Sequence, residues 1–190
     1  MSERGWTLVE MLVVVAIIVV LAAASIPYLE AYSEESHLLG AGRQFKGEFL
    51  RGRSIATRLN VYTAIRFEAQ ADGTYFSLYA DGNHNGVRSA DIRRGIDRRV
   101  SGPFQLTGGA PGVRVGINPG VPAIPPEHGV LDTRDPIRFG ADMLSFSPVG
   151  TATPGTFYLA GKYAQAAVRV VAGSARVRML VCRGGQWVER

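Results

Sequence analysis

The sequence predicts an α+β fold, in which a long N-terminal α-helix, transmembrane in its first half, packs on a β-rich, largely antiparallel head. Two observations support this prediction. Residues 11–24 contain no polar side chain. After Asn60 the spacing of apolar residues changes from three or four, which is typical of a helix, to two, which is typical of a strand. The predicted helix therefore has an apolar first part that ends near residue 27 and a continuation over residues 28–59, and the head comprises residues 60–190.

The apolar N-terminal segment has the length of a membrane span. Residues 6–26 would form a helix about 30 Å long at about 1.5 Å per residue, which matches a bilayer core. Three interpretations compete. The segment is a secretory signal cleaved near residues 22–25, or a plain membrane anchor, or a signal cleaved before the apolar run, so that the run stays in the mature protein.

Glu10 distinguishes among these interpretations, because it lies inside the apolar segment. A carboxylate near the centre of a membrane helix costs about 2.5–3.5 kcal/mol, and less near its end. Cleavage after Gly5 would create a partner, the new α-amino group of Trp6, one helical turn from Glu10. The same amine would reach Glu10 of a neighbouring subunit and set the axial register between two helices.

The hexapeptide from Gly5 to Glu10, Gly-Trp-Thr-Leu-Val-Glu, resembles the class III signal of type IV pilins and type II secretion pseudopilins. Pro27 stands where such proteins have a helix-kinking proline. The resemblance implies a leader, residues 1–5, which a prepilin peptidase removes between Gly5 and Trp6. It also implies N-methylation of Trp6 and a role of Glu10 in assembly and register.

The same resemblance implies a cellular setting. Residues 6–27 would cross the bacterial inner membrane once, and residues 60–190 would form a periplasmic head. The partners would be other pilin or pseudopilin subunits and the inner-membrane assembly platform. Such a subunit is structural and not an enzyme, and no cofactor is expected apart from a calcium ion considered below.

Residues 28–59 are predicted to continue the helix beyond Pro27, which lacks an N–H and should kink the helix without ending it. An apolar stripe for packing on the head recurs every three or four residues: Leu38, Gly42, Phe45, Phe49, Gly52, Ala56 and Leu59. The opposite, solvent-facing side carries Glu34, Arg43, Lys46, Arg51 and Arg58. Glycines in this helix are expected to allow close approach of the sheet.

The head is predicted to contain two hairpins and further strands. One hairpin joins residues 61–68 and 73–80 through a turn around Asp72, and the other joins residues 168–172 and 176–182 through Gly173 and Ser174. Further strands are expected at residues 113–117, 137–139, 144–147 and 156–160. Residues 118–136 contain five prolines and are predicted to be a loop or a poorly ordered excursion.

A second, weaker resemblance concerns the C-terminal third. Residues 146–150, 155–159 and 168–178 are similar to the minor pseudopilin H (GspH) and FimT branch. This implies a minor subunit of a type II secretion pseudopilus or of a type IV pilus. The alternative is a DNA-binding minor pilin of a competence pilus, used in natural transformation.

Arg176 and Arg178 are the candidate nucleic-acid site. FimT-type pilins carry a Gly-Arg-x-Arg motif there, and in this chain Ala175 replaces the glycine. On a strand the two arginines would point to one face, with Arg169 on the facing strand, and would hold phosphates. The alternative, which we prefer, is a pair of solvated arginines on an amphipathic strand.

A candidate calcium site begins at Asp81, where the sequence Asp-Gly-Asn-His-Asn-Gly matches the opening of a calcium loop. Asp81, Asn83 and Asn85 would supply hard oxygen ligands, and Asp91 a fourth. The twelfth position, where such a loop needs Glu, is Ile92. An Asx-rich turn without metal explains the same residues and is the preferred interpretation.

The sequence shows no catalytic constellation. The histidines are far apart, and no serine lies in a nucleophile-elbow pattern. Cys182, the lone cysteine, ends an apolar run and is predicted to be a buried small residue. The net charge of +5 comes almost entirely from scattered arginines, most with acidic residues nearby.

Overall fold

The computed structural model describes residues 7–108, 110–172 and 175–190. The chain divides into two compact units, Met1–Ser33 and Glu34–Arg190, and we call the second the head unit. Helix α1, Leu8–Leu59, contributes to both, so its residues 34–59 belong to the head unit. The predicted leader, residues 1–5, and the cleavage and methylation site at Gly5 and Trp6 lie outside the described residues.

Within the first unit, residues 8–33 are helical and their apolar side chains are exposed. Ser25 donates its hydroxyl to the carbonyl of Leu21 at 2.8 Å, which satisfies a polar group inside the apolar run. Pro27 lies within α1 and does not end it. The kink predicted at Pro27 stays a prediction. Among the described residues, α1 is long and apolar enough to cross a membrane.

The head unit adds a short helix and a series of strands to the C-terminal part of α1. The short helix α2 is Ser89–Arg94, and a 3-10 turn spans Gly140–Asp142. The strands are β1 Thr63–Gln70, β2 Gly73–Ala80, β3 Arg98–Gln105, β4 Arg114–Val115, β5 Ile137–Arg138, β6 Met143–Phe146, β7 Gly155–Ala160, β8 Gln165–Val171, β9 Arg176–Arg183 and β10 Gln186–Glu189.

The described strands form two sheets. The first has the order β3-β2-β1-β6, and the second has the order β10-β9-β8-β7-β4, with β5 also paired to β7. The pairings between these named strands are antiparallel. The predicted fold class, a long N-terminal helix on a β-rich antiparallel head, is therefore confirmed.

Aromatic side chains join α1 to both sheets. Phe45 of α1 is fully buried, with ring centroids 5.8 Å from Phe76 in the first sheet and 4.7 Å from Phe157 in the second. Phe49 meets Phe146 of β6 edge to face at 4.9 Å. Such pairs add to the burial of apolar area. The core of the head unit is thus centred on one face of α1.

The predicted apolar stripe is confirmed from Leu38 to Ala56, where every predicted member is buried. The prediction is wrong at Leu59, the last residue of α1, which is 59% exposed. It is also wrong at Glu34, which was assigned to the solvent side and is buried. Both errors occur at the ends of the segment, where a helical period no longer determines which groups cover the side chain.

Gly52 lies where the sheet comes closest to α1. A Cβ atom there would be 2.9 Å from Leu78 and from Phe146, both of which are fully buried. The hydroxyl of Thr63 donates to the Gly52 carbonyl at 2.9 Å, which ties β1 to the same point. At Gly47, by contrast, nothing lies within 4 Å of an added Cβ atom. The predicted close approach is therefore made at Gly52 and not at Gly47.

The predicted strands are found, with shifted bounds. Strand β1 begins at Thr63, and β8 begins at Gln165, three residues before the predicted start. The first hairpin is confirmed, with Gln70 paired to Gly73 across the turn. The second hairpin is confirmed by the β8–β9 pairing, and its turn residues, Gly173 and Ser174, lie outside the described residues.

Sequence analysis missed α2, β3 and β10. Strand β3 contains Gly102 and Pro103, which weaken a strand prediction, but it lies at the edge of its sheet, where proline is tolerated. Strand β10 was detectable, since Gly184 and Gly185 separate it from β9 and both have positive φ. Two glycines between strands are a strong hairpin signal.

The proline-rich segment 118–136 is a loop, as predicted, with an isolated bridge between Pro122 and Val130. It is packed, which corrects the alternative of a poorly ordered excursion. Ile124 and Leu131 are buried together with Tyr158 in a second apolar cluster. Trp187 donates its indole N–H to the Pro122 carbonyl at 2.9 Å. The segment therefore covers the face of the second sheet opposite α1.

The two glycines give a matched test of close packing. Gly47→Ala should raise the free energy of unfolding by about 0.5–1 kcal/mol, because alanine favours a helix. Gly52→Ala should lower the same quantity, because overpacking costs about 1–3 kcal/mol and outweighs the gain in helix propensity. Thermal unfolding of the full chain in detergent micelles measures both. Equal increases for the two variants would contradict the described contact.

Candidate functional site

The start of α1 places Glu10 in a reciprocal pair with Thr7. The Thr7 backbone N–H and hydroxyl each donate to Glu10 Oε2 at 2.9 Å, and the Glu10 N–H donates to the Thr7 hydroxyl at 3.2 Å. This is a capping box, which satisfies the N–H groups that begin a helix. The Thr-x-x-Glu spacing already carried this signal in the sequence. The predicted pairing of Glu10 with the amine of Trp6 lies outside the described residues.

Glu34 anchors α1 to the turn between β7 and β8. Its carboxylate accepts backbone N–H groups from Lys162 at 2.7 Å, from Tyr163 at 2.8 Å and from Ala164 at 2.9 Å. A Cβ atom at Gly161 would overlap this carboxylate, so the approach requires glycine there. Several backbone donors can stabilise a buried carboxylate without a cation.

Glu35 anchors the same point of α1 to the C-terminal strands. Its carboxylate is buried and pairs with Arg183 through Oε2 and with Arg190 through Oε1, the latter at 3.4 Å. Both arginines are about half exposed. Sequence analysis did not identify Glu34 and Glu35 as residues that anchor α1. In sequence, two adjacent glutamates in the part of a helix beyond the apolar run look the same as solvent-exposed surface charges.

The candidate nucleic-acid residues lie on β9, and Arg169 lies on the facing strand β8, as predicted, where the register places it opposite Arg178. Arg176 is exposed. Arg178 donates twice to Glu189 Oε2, at 3.0 and 2.6 Å, and Arg169 donates to Glu127 at 2.6 Å. These ion pairs reduce the positive charge that Arg169 and Arg178 would offer to phosphate.

Three of the candidate calcium residues, Asp81, Asn83 and Asn85, lie in one loop, which is closed by its own backbone, and the fourth, Asp91, lies in α2. Asp81 accepts N–H groups from Asn83 at 3.0 Å and from Gly86 at 2.7 Å. Asn85 donates its side-chain amide to Asp91 at 3.1 Å. In the part of the chain that the structure describes, no group of three or more His, Cys, Asp or Glu side chains is placed to hold a metal.

Asp97, which sequence analysis did not single out, completes this loop. Its two carboxylate oxygens accept N–H groups from Gly82 at 3.1 Å and from Arg88 at 2.9 Å. The described geometry therefore matches the Asx-turn interpretation, in which carboxylates replace a backbone partner. Calcium binding stays an untested prediction.

Cys182 is buried on β9, as predicted. Burial raises the pKa of the Cys182 thiol, which keeps it protonated at neutral pH. A protonated, buried thiol is a poor nucleophile. Its environment thus matches a packing role.

Comparison with known proteins identifies the N-terminal segment. Residues 1–26 match the family described as the prokaryotic N-terminal methylation motif. This match confirms the signal predicted from the hexapeptide that ends at Glu10. No curated protein is detectably similar in sequence to the chain.

Among solved structures, the minor pseudopilin EpsH from the type 2 secretion system of Vibrio cholerae is similar to the chain. The two share 14% sequence identity, with a TM-score of 0.44 over 79% of this chain and 97% of that chain.

We expect Glu34 to contribute more to stability than its neighbour Glu35. Glu34→Gln should lower the free energy of unfolding by about 1–3 kcal/mol, because buried backbone donors would lose their charged acceptor. Glu35→Gln should lower it less, because Arg183 and Arg190 are free to turn towards solvent. Chemical denaturation of the two full-length variants compares them. A larger loss for Glu35→Gln would contradict the anchoring role of Glu34.

The ion pair of Arg178 and Glu189 predicts a pH effect. The hydrogen bond from Arg178 holds the pKa of Glu189 below its ordinary value. The stabilisation from this pair should be present above the pKa of an unfolded glutamate and be lost as pH falls through the lower folded value. Carboxyl ¹³C NMR titration of the full chain measures the pKa. In Arg178→Gln it should return towards normal, and an unchanged pKa would contradict the pairing.

Proposed function

We propose that the chain is a structural subunit of the type IV pilin and pseudopilin class, made as a precursor and incorporated into a filament after its leader is removed. The observation that carries this proposal is the N-terminal methylation motif over residues 1–26. The exposed apolar side chains of residues 8–29 support it, because a soluble domain buries such a surface. Glu10 is the one charged residue in that range.

The proposed mechanism has two stages. In the first, the apolar segment lies in the bacterial inner membrane, crosses it once, and carries the head unit in the periplasm. In the second, the assembly platform transfers the segment from lipid into a bundle of like helices. Apolar side chains are covered in both stages, so the transfer needs little new desolvation.

Glu10 gives the bundle its register in this proposal. A carboxylate in an apolar bundle is stable when it is paired, and the amine of Trp6 that cleavage creates supplies the charge. In the uncleaved chain Glu10 is satisfied by Thr7. The partners are therefore the prepilin peptidase, the platform and other subunits of the same class.

Within this class we assign the chain to the minor subunits, of either a type II secretion pseudopilus or a type IV pilus. The support is the resemblance of residues 146–150 and 155–159, which contribute to β6 and β7, to the minor pseudopilin H and FimT branch. The alternative, DNA binding by Arg176 and Arg178, is less well supported, because Arg178 and its cross-strand neighbour Arg169 are each paired with a glutamate.

Coexpression of the full chain with a prepilin peptidase tests the processing step. The mature protein should begin at N-methylated Trp6, as read by mass spectrometry of its N-terminal peptide. A mature N-terminus at any other residue would contradict the proposal.

The substitution Glu10→Gln tests the assembly step separately. It should leave cleavage intact and abolish incorporation into filaments, because it removes the charge that pairs with Trp6. Glu30→Gln, the same change beyond the apolar run, is the control. Filaments sheared from cells and probed for the subunit give the readout, and normal incorporation of Glu10→Gln would rule out the register role.

A further inference from the structure

A groove of about 520 Å³ opens between α1 and β9 in the head unit, and we call it the Leu50 groove. One wall is formed by Lys46, Leu50 and Arg53 of α1. Since these residues are four and three positions apart, they form one stripe along the helix. The facing wall includes Arg176 and Val177 of β9. The groove therefore combines a helical wall with a strand wall.

The centre of the Leu50 groove is apolar. It is lined by Phe49, which is fully buried, and by the half-buried Val177 and Met179. Leu50 adds to them and is 52% exposed, the only exposed large apolar side chain in residues 34–58. A single exposed leucine is ordinary on a protein surface, but this one extends an apolar surface that the groove already contains.

Three cations line the Leu50 groove without an acidic partner. Lys46, Arg53 and Arg176 form no ion pair with any described residue. Lys46 and Arg176 are exposed. Arg53 donates its Nε–H to the Gly150 carbonyl at 2.9 Å, and a carbonyl orients a guanidinium without neutralising its charge. The positive charge of all three side chains is therefore available to an anion.

The acidic side chain among the described residues that line the groove is already engaged. Glu189 accepts two hydrogen bonds from Arg178, at 3.0 and 2.6 Å, and Arg178 is not part of the lining. These hydrogen bonds lower the pKa of Glu189, with a smaller contribution from Arg176. The remaining cation of the lining, Arg190, shares the buried Glu35 carboxylate with a second arginine. The groove thus has an excess of positive charge around an apolar centre.

We propose that the Leu50 groove binds an acidic amphipathic helix of a partner protein, which presents two carboxylates two helical turns apart and an apolar side chain between them. Lys46 and Arg53 pair with the two carboxylates, and Leu50 contacts the apolar side chain. Arg176 adds a third donor from the opposite wall. The site lies within the head unit and does not depend on the filament role proposed above.

The spacing of the cations favours a helix as the ligand. Lys46 and Arg53 are about 10 Å apart along α1, at about 1.5 Å per residue. Two acids seven positions apart on a partner helix have the same separation, whereas same-face residues of an extended segment recur at about 6.6 and 13 Å. A nucleic acid would bring phosphates but no apolar group to cover Leu50. A bilayer lipid is less suitable, because Lys46 lies about 18 Å along α1 from Glu34, where the head unit begins.

Fluorescence anisotropy with the full chain in an uncharged detergent provides the test. The probe is a labelled, alanine-rich helical peptide that carries two glutamates seven residues apart and one leucine between them. In one control peptide glutamine replaces both glutamates, and in the other alanine replaces the leucine. Each control should bind about tenfold more weakly than the probe, because it lacks either the charge-assisted hydrogen bonds or the apolar contact. Empty micelles measure the binding of each peptide to the detergent.

Matched variants assign the binding to the groove. Leu50→Ala should weaken binding of the probe about tenfold, and Leu59→Ala, at a similarly exposed position of α1 outside the groove, should leave it unchanged. Lys46→Gln should weaken binding about fivefold, and Arg58→Gln, also exposed and outside the groove, should have no effect. All four positions are exposed, so the melting temperatures should stay close to that of the unchanged chain.

Several outcomes would overturn the proposal. These are the absence of binding beyond that of empty micelles, equal binding of the probe and the glutamine peptide, and equal weakening by Leu50→Ala and Leu59→Ala. Binding of a short DNA duplex in place of the probe, with a dependence on Lys46 and Arg176 but not on Leu50, would assign the groove to nucleic acid instead.

Discussion

One stripe of α1 must be buried against two sheets at once, and the head unit is built around that constraint. Phe45 meets Phe76 of the first sheet and Phe157 of the second within 6 Å. A helix that packed on one sheet alone would leave part of this aromatic surface in water. Gly52 lets the first sheet approach closely, and the Thr63 hydroxyl donates to the Gly52 carbonyl at the same point. The helix therefore acts as the shared core of both sheets.

The face of the second sheet that α1 does not cover is covered by an irregular segment. On the second sheet, the proline-rich loop takes the place of a helix and buries Ile124 and Leu131 against Tyr158. Proline suits this role because it has less conformational freedom to lose on ordering. At the edge of this cover, Pro125 and Pro126 of the loop line one pocket together with Arg138 and Arg169.

The features that could be predicted from the sequence are those that depend on the spacing of apolar residues or on short local motifs. The apolar segment, the buried stripe around Phe45 and both principal hairpins follow from spacing and turn residues, and the methylation motif follows from a short pattern. The anchors at Glu34 and Glu35 did not follow, because their partners lie more than a hundred residues away.

The position of Glu34 and Glu35 has a mechanical consequence. Any tension applied to residues 8–33 enters the head unit at residue 34, where the chain passes between the two compact units. There Glu34 holds the turn that joins β7 and β8, while Glu35 holds arginines at the ends of β9 and the chain. The pull is thus shared by the β7–β8 turn, the end of β9 and the C-terminal residue. Extraction from a bilayer would draw on several bonds in parallel and would not unravel the helix residue by residue.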